Sequence, residues 1–224
     1  MLDQPTFSPF ELGILEEHAD EAAFLWSLRA AASTDSRYDL DDLCRLDERV
    51  EARLDGLRLA ESTGWEVACS ALALPDAGVA FTAAVLALER FDLAGIARVL
   101  DTLNREPSCL EGVIAALDWV PFAALARVLP GLLSPSCPPG MHHLGIAACA
   151  LHRRDPGRAL RAALGASDPH LRARALMAAG ELGRGDLRIM VRDALAEEDE
   201  ACRFAAGFAG VLLGEPEAVR ALMD

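Results

Sequence analysis

The sequence predicts an all-α chain organised as an α-solenoid, and three observations carry that reading. Asp168-Pro169-His170-Leu171-Arg172 through Leu182-Gly183 recurs as Asp199-Glu200-Ala201-Cys202-Arg203 through Leu213-Gly214. The offset is 31 residues (199 − 168), inside the roughly 20–50-residue period of stacked helical arrays. Hydrophobic residues make up 52% of the chain but aromatics only 5%, so the core must be built of Ala, Leu and Val. Ala and Leu are strong helix formers, and runs of strand type are missing.

The chain opens with an expected extended lead-in over residues 1–10, marked by Pro5 and Pro9. A first helix follows over 11–32, with Leu12, Leu15, Ala19, Ala22 and Leu25 or Trp26 on one stripe. A second begins near Asp39 or Asp41, either of which can cap it, and carries Leu43, Leu46, Val50, Leu54 and Leu57. A short helix over 65–74 stops at Pro75-Asp76 and completes an acidic N-terminal unit, residues 1–76.

Helix pairs then fill residues 77–133, as 79–90 with 93–103 and 110–119 with 122–133; Pro130 is expected to kink the last of these or end it early. Ser-Pro-Ser-Cys-Pro-Pro-Gly at 134–140 is the strongest break in the chain. Three further pairs occupy 141–224: 141–151 with 157–164, 171–182 with 187–195, and 202–213 with 217–223. Arg172 and Arg203 recur at one repeat position, where an Arg can tie neighbouring repeats together.

The formal charge is −14, and all 21 basic residues are Arg. Residues 1–112 hold 22 acids and 9 Arg, whereas 113–224 hold 13 acids and 12 Arg. Such a chain lacks the basic footprint that free nucleic acid requires. A basic protein partner, steered by the acidic half, fits better; solubility alone is the competing explanation. The six Cys are scattered singly, as buried thiols in a reducing cytoplasm would be. Met1-Leu2-Asp3-Gln4 has no basic leader, and no run reaches the roughly 18 apolar residues of a membrane span. A cytoplasmic protein without membrane attachment is the expectation.

The runs Glu21-Ala22-Ala23-Phe24-Leu25-Trp26-Ser27-Leu28-Arg29 and Leu46-Asp47-Glu48-Arg49-Val50-Glu51-Ala52-Arg53-Leu54-Asp55-Gly56-Leu57-Arg58, then Gly64-Trp65, carry a resemblance. They are similar to the start of a proteobacterial family of HEAT-repeat-like proteins whose genes lie among type VI secretion genes. The resemblance extends over Ala147-Ala148-Cys149-Ala150-Leu151-His152-Arg153 and the two late repeats. It implies HEAT-like helix pairs and association with a secretion system, and supplies no catalytic residues.

The candidate partner surface is the acidic stripe Asp47, Glu48, Glu51 and Asp55, interleaved with Arg45, Arg49, Arg53 and Arg58. Its competitor is an ordinary solvated helix face. Trp26 and Trp65 join the candidate set: together with Trp119 they are either core anchors or, if exposed, binding hot spots. Cys137, His142, His143, Cys149 and His152 carry metal-ligand chemistry, but their spacing matches no zinc framework, so no metal and no cofactor is expected. No G-x-S-x-G or comparable signature marks a nucleophile, and Gly180, Gly183 and Gly185 lie where a helix ends rather than after a strand.

The expected function is therefore a non-enzymatic protein-binding module, an adaptor for a secreted effector or spike component. The alternatives are an immunity protein that neutralises a basic toxin, an enzyme on a HEAT-like scaffold, and a self-assembling structural module.

Overall fold

The computed structural model describes residues 8–222, and these form thirteen α-helices and three short 3-10 turns, with no strand among them. Residues 1–7 of the expected lead-in, and Met223 at the end of the last expected helix, lie outside the described residues. The chain divides into two compact units, residues 1–120 and 121–224. The Pro-rich stretch at 134–140 therefore lies within the second unit, and its last two residues already belong to a helix.

The first unit holds α1 (Pro9–Ala32), α2 (Leu40–Leu59), α3 (Glu61–Ala71), α4 (Ala77–Glu89), α5 (Leu93–Asp101) and α6 (Cys109–Trp119). Ser8 starts α1: the Glu11 N–H donates to its hydroxyl, and its own N–H donates back to the Glu11 carboxylate at 2.8 Å. Pro9, expected in an extended lead-in, is instead the first helical residue, where its missing N–H costs nothing. Asp39 and Asp42 form the same reciprocal cap on α2. Asp76 and Asp92 cap α4 and α5 singly.

Helix α4 lies between α1 and α6, and its run from Ala80 to Leu88 is buried on every side. Small residues permit this. A Cβ added at Gly112 of α6 would lie 1.8 Å from the Ala77 carbonyl oxygen of α4, and one at Gly78 would lie 2.3 Å from the Ala23 carbonyl oxygen of α1. The helices meet backbone to backbone.

The second unit holds α7 (Phe122–Leu132), α8 (Pro139–Leu151), α9 (Arg158–Leu164), α10 (Pro169–Glu181), α11 (Arg188–Asp193), α12 (Glu200–Leu212) and α13 (Ala218–Ala221). α10 lies between α8 and α12, with α9 packed on α10 and both α11 and α13 packed on α12. α7 passes through Pro130 to Leu132 instead of ending early. Proline there removes one bond from the final turn, and the Leu133 N–H still closes on the Leu129 carbonyl at 2.8 Å. The helix expected over 187–195 is shorter, with a 3-10 turn at each end of α11.

The repeat read from the sequence is also a repeat of bonds. Asp168 accepts from the Leu171 N–H at 2.8 Å, and Asp199 from the Cys202 N–H at 2.9 Å. The Arg172 guanidinium donates to the carbonyls of Ala166 and Ser167, and that of Arg203 to Glu197 and Glu198, each acceptor displaced by the same 31 residues. Arg172 also pairs with the Glu197 carboxylate at 2.9 Å, so it ties its own repeat to the next.

Four helices close alike. Phe91, Arg153, Gly183 and Gly214 adopt left-handed backbone conformations after α4, α8, α10 and α12. The N–H that follows each reaches back five residues, to Ala87, Cys149, Ala179 and Gly210. This close needs φ above zero, which is why two of the four positions are glycine.

Candidate partner-binding site

On the first unit, α1, α2 and α6 border a solvent-open cleft of about 330 Å³ lined by Trp26, Arg29, Asp47, Glu51, Ala115, Asp118 and Trp119. Its back is an aromatic column. Trp26 stacks on Phe81 with ring centroids 5.0 Å apart, and Trp119 makes a T-shaped contact with Phe81 at 5.2 Å. Phe81 is fully buried in α4, so the central helix sets the position of both indoles.

The polar rim is organised by ion pairs that run the length of α2. Arg29 of α1 donates to Asp47 at 2.8 Å, and Arg53 pairs with Glu21. Glu51 accepts from the Trp119 indole N–H and from Arg58, the latter at 2.5 Å. Arg58 also holds Asp55 at 2.7 Å and grips Glu89 of α4 through two nitrogens, at 2.9 and 2.8 Å. Burial works against the Arg58 charge, but its hydrogen bonds to Glu89, Glu51 and Asp55 outweigh that, so the guanidinium sits above its ordinary range. It stays charged at every pH the fold tolerates.

The sequence-derived residues therefore separate. Trp26, Asp47 and Glu51 converge on the cleft. Trp26 is only 4% exposed and serves mainly as a core anchor. Glu48 and Asp55 are exposed on α2, Asp55 bound to Arg58. Trp65 lies apart, packed against a cluster formed by Leu15, Ala19, Leu57 and Leu86. Asp118 was not found from sequence, and Trp119, open there between core anchor and hot spot, was not placed in the candidate set. The Glu51–Trp119 contact joins positions 68 residues apart, and no local pattern encodes that. Grooves of about 400 and 350 Å³ elsewhere on this unit carry no aromatic side chain. A smaller one of about 140 Å³ joins Trp65, Leu57 and Leu86 to two acids and two Arg. The cleft at Trp26 and Trp119 is thus the larger of the two that combine an apolar floor with charge, and the one whose rim is mainly acidic.

The Cys and His cluster of the second unit is dispersed. Cys149 and His142 are buried, Cys137 donates to the Leu132 carbonyl at 3.1 Å, and His152 ends α8 with its ring 5.5 Å from Phe122. His143 faces His170, Arg174 and Asp168. Among the described residues no three His, Cys, Asp or Glu side chains come together to hold a metal ion. No helix among them is long and apolar enough to cross a membrane.

Comparison of the chain with family models, curated proteins and solved structures finds no match.

Arg58→Ala should leave Glu51 and Glu89 half-buried without their shared cation. Breaking a buried pair costs about 3–5 kcal/mol, and solvent access to this one lowers the expected loss to about 1–2 kcal/mol. Because Glu51 orients the Trp119 indole, a shift in tryptophan emission should accompany the loss. Urea unfolding followed by fluorescence reads both. An Arg58→Ala protein with wild-type midpoint and emission would mean that the network contributes nothing.

Proposed function

We propose that the chain is a non-enzymatic protein-binding module, an α-solenoid of HEAT-like helix pairs whose acidic first unit takes a basic protein partner. The observation that carries this reading is the cleft between α1, α2 and α6, with Trp26 and Trp119 as its floor and Asp47, Glu51 and Asp118 at its rim. Aromatic faces beside carboxylates suit the Arg and Lys side chains of a basic surface. Charge adds a longer-ranged pull: residues 1–120 hold 23 acids and 9 Arg, a net of −14, against 12 and 12 in residues 121–224. In a type VI secretion system such a module would act as an adaptor that escorts an effector or binds a spike component. Neutralisation of a basic toxin, the immunity role, uses the same surface. No nucleic acid, membrane or cofactor enters the proposal.

The test reverses the two acids of this surface that have no internal partner among the described residues, Glu48 and Asp118. Glu51 and Asp55 stay in place because Arg58 depends on them. Tagged wild type should capture a single stoichiometric basic protein from lysate of the source organism, more at low salt than at moderate salt. Glu48→Arg with Asp118→Arg should lower capture at least tenfold at unchanged circular dichroism. Full capture by the double variant would sink the proposal. The protein recovered separates the two roles: a spike component or a carried effector means escort, a toxin held inactive means immunity.

A further inference from the structure

One edge of α12 is apolar, and nothing among the described residues covers it. α10 shows what such an edge does one repeat earlier. Its side towards α12 is marked by Pro169, whose carbonyl accepts from the Cys202 thiol at 3.3 Å, and by Gly180, where an added Cβ would lie 2.6 Å from the Ala209 Cα. Ala173 and Met177 fall between these two on the same stripe and pack against the core. Moved on by the 31-residue repeat, the stripe becomes Glu200, Phe204, Phe208 and Val211. Here Phe204 is 58% exposed and Val211 44%.

We propose that a second copy of this chain covers it, α12 against α12 about a two-fold axis. The surface continues the α10–α12 interface, so what it accepts is a helix with an apolar stripe, and α12 itself carries one. An antiparallel pair sets Phe204 against the partner's Val211 and places Phe208 near the axis, so the patch complements itself as a two-fold interface must. Large side chains stand where the inner interface has Ala, Met and Gly, which suits two equal helices at ordinary spacing. Charge permits it as well: residues 121–224 are formally neutral, with 12 Arg and 12 acids. The exposed apolar residues of α1 (Phe10, Ile14 and Phe24) are interleaved with Glu17 and Glu21, and two copies would repel there.

Sedimentation of the full chain over a concentration series tests the proposal. Wild type should reach twice the chain mass, and Phe204→Glu should weaken dimerisation at least tenfold. The Phe204 side chain stands in solvent, so circular dichroism should not change. As a separate readout, a variant with both Phe204→Cys and Val211→Cys in a Cys44→Ser background, which removes the one exposed native thiol, should form a disulfide-linked dimer under mild oxidation, as the antiparallel register requires. A wild type that stays monomeric at the highest concentration overturns the inference and leaves the edge to a helix of another protein. A dimer unaffected by Phe204→Glu overturns it equally.

Discussion

Gly112→Ala is expected to destabilise the first unit by about 3 kcal/mol, although the same change in most helices is favourable. The added methyl would meet the Ala77 carbonyl oxygen at 1.8 Å and the Phe81 nitrogen at 3.0 Å, both backbone atoms that cannot swing aside. α4 and α6 would have to separate along the most buried interface of the unit, and overpacking a filled core costs about 1–3 kcal/mol, occasionally more. Alanine returns at most about 1 kcal/mol of helix propensity. A fall of about 10 °C in Tm should follow for a unit of this size. Gly13 of α1 is the control, because nothing lies within 4 Å of a Cβ there. Gly13→Ala should raise Tm by a few degrees. If both substitutions stabilise alike, the backbone contact between α4 and α6 is not what holds that interface.

Acid should weaken the second unit through His143, before most carboxylates protonate. Burial chiefly, with the Arg174 guanidinium beside it, lowers its pKa to about 4; a hydrogen bond with the His170 backbone and the Asp168 charge oppose the shift, and the His170 ring adds to it. In the unfolded chain the same imidazole titrates near its usual value of about 6.5. Above that value neither state carries the proton, and stability is complete. As pH falls towards 4 the unfolded chain takes up a proton that the folded one refuses, and about 1.4 kcal/mol is lost per pH unit. The loss levels off near 3 kcal/mol once the folded state protonates too. His143→Gln removes the titrating group, so its stability should decline less steeply between pH 6.5 and 4. Urea midpoints at several pH values measure this, and parallel curves for the two proteins would refute it. Burial lowers the pKa of His142 in the same direction, which makes the comparison with the single variant necessary.

What the sequence made legible was local chemistry and its recurrence. Asp39, Asp168 and Asp199 each precede an apolar helical run, and a short acid in that place has one favourable use, accepting the first free N–H groups. Gly183 and Gly214 were readable for a related reason, since the left-handed turn after a helix favours them. The repeat also marked Arg172 and Arg203 as ties between repeats, which Arg172 is through Glu197, whereas the bonds both make to the carbonyls of the preceding loop were not signalled. Ser8-Pro9-Phe10-Glu11 was equally local and is a complete capping signature, yet the two prolines nearby drew the start of α1 two residues too late. α3 begins at Glu61 with no side-chain cap at all, so no signal marks it.

The candidate site was legible only in part, because its bonds span the fold. Asp47, Glu48, Glu51 and Asp55 look interchangeable as four acids on one helix. Distant residues differentiate them: Arg29 occupies Asp47, Trp119 and Arg58 occupy Glu51, and Glu48 is left to solvent. Arg58 reaches Glu89 across 31 residues, a span set by how α2 packs on α4. Helical periodicity places each acid on a face. It does not say what the opposing helix brings to it.

The packing also decides the thiol chemistry. Burial pushes up the thiols of Cys69, Cys109, Cys137, Cys149 and Cys202, with Cys149 and Cys202 at about 11, and those of Cys109 and Cys202 donate to the backbone carbonyls of Asp76, the cap of α4, and of Pro169 in α10. A thiol held in this way contains almost no thiolate at neutral pH and reacts slowly with alkylating reagents. Cys44 is the exposed one, and it lies on α2 one turn before Asp47 and Glu48. The native chain thus provides a single fast-reacting handle beside the candidate surface, so a maleimide dye on the unaltered protein would report the arrival of whatever docks there.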